Sequence, residues 1–138
     1  MYSIIKEMRF EAAHRLVQGY QGKCAHVHGH SWVVKVKCEN DRLDDFGMVR
    51  DFGSLKPFRD WVDKFLDHAT LVSSSDTVLL NFLQSNEQRY YLCESNPTSE
   101  YLTKMLHEQL HSMGFTDVVS VEIDETCTSK AIYEPANK

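Results

Sequence analysis

No stretch of this 138-residue chain is apolar for long enough to cross a membrane, and no group of lysines or arginines is gathered into a patch. With a formal net charge of −5, the chain offers a polyanion such as nucleic acid no electrostatic footing. Six glycines and three prolines are too few and too scattered to form a linker, and no internal repeat is present, so one domain is expected over residues 1–138. Disulfide patterning is missing as well. Cys24, Cys38, Cys93 and Cys127 lie far apart in a chain large enough to fold without staples, which points to reduced thiols. The Met1–Glu7 segment lacks the apolar run of a signal peptide, and a cytoplasmic location is expected.

What the chain does contain is Cys24-Ala25-His26-Val27-His28-Gly29-His30. Side chains two apart in a strand share a face, so His28 and His30 can meet one cation while Gly29 leaves room for the backbone. A His-x-His pair alone is common and means little. A catalytic zinc site needs a third protein ligand and an open fourth position.

The spacing supplies a candidate. From Tyr2 to His14 the even positions Tyr2, Ile4, Met8, Phe10 and Ala12 are apolar, with Lys6 the exception, as in a half-buried strand. A second strand runs from His30 to Cys38 with Trp32, Val34, Val36 and Cys38 inward. If the two pair as an antiparallel hairpin, His14 joins His28 and His30; His26 shares their parity and competes for the third place. Neutral imidazoles suit Zn2+.

Further on, Asp41, Asp44, Asp45 and Gly47 read as a turn, and Ser54 as the cap of a helix with Pro57 in its first turn. Phe58, Trp61, Val62, Phe65 and Leu66 follow at helical spacing, ending at Asp67-His68. A second helix is expected from about Asn96-Pro97-Thr98 to Gly114, burying Leu102, Met105, Leu106, Leu110 and Met113. Val119, Val121 and Ile123 mark a third strand, and Ala131 to Glu134 a fourth. Between Ala69 and Ser95, Val78 to Leu83 is a candidate short helix and Tyr90 to Cys93 a candidate short strand. The order of two strands, two helices and two strands predicts an α+β domain with both helices on one face of an antiparallel sheet.

Four more residues carry chemistry. Cys24, beside the expected cation, is a candidate thiolate base, while Cys38 and Cys93 read as core. In Asp67-His68 a carboxylate and an imidazole side by side can hold a proton carrier in one tautomer, or simply suit a helix end. His107 and His111, one turn apart, are expected to face solvent. Glu125 continues the side of Val119, Val121 and Ile123, where a carboxylate needs a partner, such as the flat edge of an amino-heterocycle.

Taken together, Phe10-Glu11-Ala12-Ala13-His14, the Cys24-to-His30 segment, Gly47-Met48-Val49-Arg50-Asp51-Phe52, Leu66-Asp67-His68, Asn96-Pro97-Thr98-Ser99-Glu100 and Glu125-Thr126-Cys127-Thr128 resemble the 6-pyruvoyltetrahydropterin synthase superfamily, over nearly the whole chain. Three residues separate Cys24 from His28, as in its bacterial 6-carboxytetrahydropterin synthase branch of queuosine biosynthesis. The resemblance implies a tunnelling fold (T-fold), ββααββ, with a four-stranded antiparallel sheet, whose copies join edge to edge into a barrel. A homo-oligomer, commonly a hexamer of two trimers with active sites between subunits, is implied. It also implies that His14, His28 and His30 hold Zn2+, that Cys24 accepts a proton, that Asp67 and His68 relay one, and that Glu125 anchors the pterin of a pterin triphosphate substrate. A sister enzyme forming 6-pyruvoyltetrahydropterin, and a non-catalytic zinc-stabilised protein with Cys24 as fourth ligand, are the alternatives. Residues 69–95 are longer than the compact family form.

Overall fold

A computed structural model describes residues 1–136. Its frame is one long hairpin, β1 (Tyr2–His14) and β2 (His28–Asn40), in antiparallel register from Tyr2 opposite Asn40 to His14 opposite His28. The alternation read from the sequence puts Met8, Phe10, Ala12, Trp32, Val34, Val36 and Cys38 on the inner face, all buried. Phe10 and Trp32, cross-strand partners, stack at 5.9 Å between ring centroids. Replacing Trp32 by alanine would cost about 3–5 kcal/mol.

The other elements are α1 (Lys56–Phe65), β3 (Ala69–Ser73), α2 (Thr77–Ser85), β4 (Tyr90–Cys93), α3 (Ser99–Ser112), β5 (Val118–Thr126) and β6 (Ser129–Tyr133). The sheet order is β4-β3-β1-β2-β5-β6. Its antiparallel part, β1-β2-β5-β6, is the expected four-stranded sheet, and the domain is the α+β T-fold. The stretch from Ala69 to Ser95 adds what the four-strand, two-helix expectation lacked: two parallel strands at one edge and a third helix. Val78 to Leu83 is indeed helical and Tyr90 to Cys93 is indeed a strand. α2 is capped by Asp76, whose side chain accepts from Leu79 N and also takes a bidentate bond from Arg15 at 2.5 and 2.6 Å. That pairing holds the Asp76 carboxyl below the ordinary range, although burial opposes it.

Several boundaries move. Ser54 does not cap α1. It lies in a 3-10 turn (Phe52–Leu55) capped by Asp51, and its hydroxyl donates to Asp51 O. α1 stops at Phe65 rather than at Asp67-His68, because His68 turns into the left-handed region at φ 60. α3 is capped by Thr98, whose hydroxyl accepts from Tyr101 N, within the expected Asn96-Pro97-Thr98 start. In β5 the inward residue is Val118, not Val119, because a bulge opposite Lys37 and Cys38 shifts the register by one. β6 begins at Ser129, two residues early. The Asp44 turn is as expected: its carboxylate accepts from Phe46 N and Met48 N, and Gly47 takes φ 81.

His107 and His111 do not face solvent. His107 is buried, stacked on His111 at 4.3 Å and edge-on to Tyr133 at 5.2 Å between centroids. Helical spacing alone could not show that β6 covers this side of α3. Cys38 and Cys93 are core, and no helix among the described residues is long and apolar enough to cross a membrane.

Candidate metal centre and active site

The strand register fixes the imidazoles. His14 faces His28 across the hairpin, and His30 follows two residues along β2, opposite Ala12, on the same side. Val33 pairs with Asp124 in β5, so the next residue, Glu125, returns to the inner face beside them. One ligand atom from each of His14, His28, His30 and Glu125 lies within 4.8 Å of all the others. Trp32 floors the cluster, with its ring edge-on to His14 at 5.0 Å and to His30 at 5.1 Å. Its indole N–H is spent on Ala12 O at 3.1 Å, so it competes for no ligand.

Hydrogen bonds on the far side of two rings aim the nitrogens inward. His14 Nδ1 lies 2.7 Å from Pro97 O, and His28 Nδ1 lies 2.7 Å from His26 O. A carbonyl only accepts, so both Nδ1 atoms carry hydrogen and both Nε2 atoms present lone pairs. Those two Nε2 atoms nonetheless approach to 3.0 Å. His30 Nε2 is buried without a hydrogen-bond partner, 3.0 Å from Glu125 Oε1. Lone pairs and a carboxylate converging without protons repel one another, and a cation resolves the repulsion. Three nitrogens and an oxygen form a suitable donor set. Burial holds the His14 and His30 imidazoles below their ordinary value, with Glu125 pulling the other way, which keeps them in the neutral form that a metal requires.

His26, the competitor for the third place, is exposed, lies outside the four-residue cluster and offers only its carbonyl to His28. Cys24 is not among the four. It sits half-buried in a 3-10 turn (Lys23–Ala25), tied to the end of β1 by Leu16 N donating to Cys24 O at 2.8 Å.

Asp67 and His68 lie on another side of β1. Glu11 holds both: its N–H donates to Asp67 Oδ1 at 2.8 Å, and its carbonyl accepts from His68 N at 2.6 Å. Asp67 Oδ2 is 2.8 Å from His68 Nδ1. The Glu11 amide, above all, lowers the Asp67 carboxyl below the usual range; the imidazole and Arg89 add to this and burial opposes it. An ionised Asp67 then fixes His68 as an Nδ1–H tautomer with Nε2 free. The left-handed backbone at His68 stores about 1–3 kcal/mol, kept in place by these bonds. An open cleft of about 480 Å³ runs past His68, lined also by Glu11, Ser31, Thr70, Gln88 and Arg89.

Residues 3–136 match the family described as 6-pyruvoyl tetrahydropterin synthase. The chain belongs to this family. It is 37% identical to the 6-carboxy-5,6,7,8-tetrahydropterin synthase of Synechocystis, over 96% of this chain and 93% of that one. It is 30% identical to the enzyme of the same name from Bacillus subtilis, over 97% and 86% of the two chains. Among solved structures, an uncharacterized protein from Wolinella succinogenes superposes with a TM-score of 0.80 at 26% identity, covering 98% of each chain. The Caenorhabditis elegans 6-pyruvoyl tetrahydropterin synthase gives 0.74, also at 26%, over 98% and 96%. A member of this pterin synthase family is an enzyme of the lyase type, and the four-residue cluster could bind a metal.

Proposed function

We propose that the protein converts 7,8-dihydroneopterin triphosphate and one water to 6-carboxy-5,6,7,8-tetrahydropterin, with release of acetaldehyde and triphosphate, in the cytoplasmic synthesis of queuosine. The observation that carries this reading is the inward convergence of His14, His28 and His30 Nε2 with Glu125, on a chain whose relatives bear that enzyme name. His14, His28 and His30 would hold Zn2+. When bound, the ion supplies a Lewis acid for the negative charge that develops on the substrate side chain as it loses a proton.

The rest is work for the chain itself. Cys24, as thiolate, takes the proton from the substrate side chain. His68, kept in one tautomer by Asp67, returns a proton elsewhere on the product. Glu125 accepts hydrogen bonds from substrate. The resemblance casts it as the anchor of the pterin edge, while its closeness to His30 also puts it within reach of side-chain hydroxyls held at the imidazole cluster. Cys24 lies outside that cluster, which weighs against the alternative in which it closes a structural zinc site as fourth ligand; in this reading Glu125 serves the substrate and the fourth position stays open.

Assembly belongs to the same reading. β1 pairs with β3 only at Ala12, Ala13 and His14, and Glu11 is bonded to Asp67 and His68, so the outer edge of β1 from Tyr2 to Phe10 has no strand partner among the described residues. β6, at the opposite end of the sheet from β4, also has an open outer edge. Joining β6 of one copy to β1 of the next would cover both and close a barrel of trimers, two of which make the hexamer. The test is incubation with dihydroneopterin triphosphate, with product masses followed with and without a chelator. Carboxytetrahydropterin with acetaldehyde is the expected outcome. A pyruvoyl product without acetaldehyde would move the protein to the sister activity, and no turnover would refute both.

A further inference from the structure

Arg89 stands at the entry to β4, inside the stretch from Ala69 to Ser95 whose role the sequence leaves open. Its carbonyl accepts from Thr70 N at 3.1 Å, which seats the residue beside the start of β3. The guanidinium does not seek a carboxylate. It turns back onto the end of α1, where Nη2 donates to Asp63 O at 3.0 Å and to Lys64 O, and Nε donates to Asp67 O at 3.0 Å. The Asp63 and Lys64 carbonyls belong to the last turn, which has no partners within the helix, and a cation there meets the negative end of the helix dipole.

The third bond is the informative one. Asp67 O and His68 N are the two ends of a single peptide unit. Arg89 holds its carbonyl from the β4 side, and Glu11 O receives its N–H from the β1 side. A planar peptide pinned at both ends cannot rotate. The φ of 60 that turns the His68 ring toward Asp67 is set by the orientation of this plane.

We propose that Arg89 is a positioning residue for the Asp67–His68 pair: it clamps the peptide that joins them and so holds the imidazole in register with its carboxylate. This inference rests on the reading that His68 carries a proton in the reaction. It also assigns a task to part of the 69–95 stretch, which delivers the clamp from a strand parallel to β3. Lysine could not replace it fully, because a single ammonium lacks the planar fork that spans the helix end and the Asp67 carbonyl together.

The test compares Arg89→Met, Arg89→Lys and His68→Ala by turnover, metal content and the imidazole 15N–1H signal of His68. Arg89→Met should lower kcat at least about tenfold with KM little changed, as misplacement of a proton carrier does. Its metal content should equal wild type, and the Nδ1–H signal of His68 should broaden or vanish. Arg89→Lys should recover part of both losses, and it provides the same readouts if Arg89→Met does not fold. Turnover within about twofold of wild type in both Arg89 variants, while His68→Ala is inactive, would overturn the clamp alone. So would lost turnover with an unchanged His68 signal, since a helix cap that serves only stability predicts that. Wild-type turnover in His68→Ala would instead overturn the reading beneath it.

Discussion

The imidazoles of His14, His28 and His30 occupy successive inward positions on two long paired strands, over a fully buried indole, whereas His68 stands exposed at a helix end in a backbone conformation unusual for a residue with a β-carbon. The first group is positioned by sheet regularity. Thirteen-residue strands cannot slip by one without turning every core side chain to the wrong face, so three ring directions follow from one register. The second group has no such lattice and is held by individual bonds from Glu11 and Arg89. Under the proposed function this is a division of labour: the hairpin would supply the three imidazoles for the cation, and the segments attached to it would handle the proton.

That division breaks most visibly at its centre. His28→Ala should remove both metal and turnover, with metal content by mass spectrometry and an activity assay as the measurements; retention of stoichiometric metal would show that the hairpin does not hold it. Cys24→Ala should keep metal and fold while turnover falls by about 10²–10⁴, the usual worth of a general base. Full activity in that variant would take the thiol out of the mechanism. Glu125→Gln preserves shape but removes charge, and should weaken substrate binding about tenfold, in keeping with a lost charge-assisted hydrogen bond. Titration calorimetry with a pterin would show an unchanged affinity if Glu125 anchors nothing.

The smallest effect concerns a pair outside the site. Burial, and then the nearby His111, hold His107 below its ordinary value of 6.5. The unfolded chain therefore binds a proton more readily than the native one, so the stability His107 allows is fully present above that value and is lost as pH falls below it. Melting temperatures of wild type and His107→Gln between pH 7.5 and 5.5 should diverge, with the variant losing less. Parallel curves would mean that His107 is not titrating in this way.

The parts set by regular alternation could be read from the sequence. His14 was in phase with Phe10 and Ala12, and His28 and His30 with Trp32, so the convergence followed from parity before any coordinates. Glu125 reached its place for a partly mistaken reason: Val119 is turned aside by the bulge, and only the run from Val121 carries the parity through. Bulges depend on the partner strand and leave no mark in a single segment. Residues 69–95 were ambiguous because runs as short as Leu71-Val72 and Val78 to Leu83 fit a buried strand or a helix equally well. The burial of His107 and the bonds of Arg89 arise from β6 and β4 closing over distant helices, and local spacing holds no trace of either.

The central claim is that this chain binds one metal ion through three imidazoles. X-ray absorption of the zinc-loaded protein tests it most directly: the expected result is one zinc per chain with nitrogen or oxygen neighbours only, at about 2.0–2.1 Å. A sulfur neighbour at about 2.3 Å, or metal-free protein with full turnover, would contradict it.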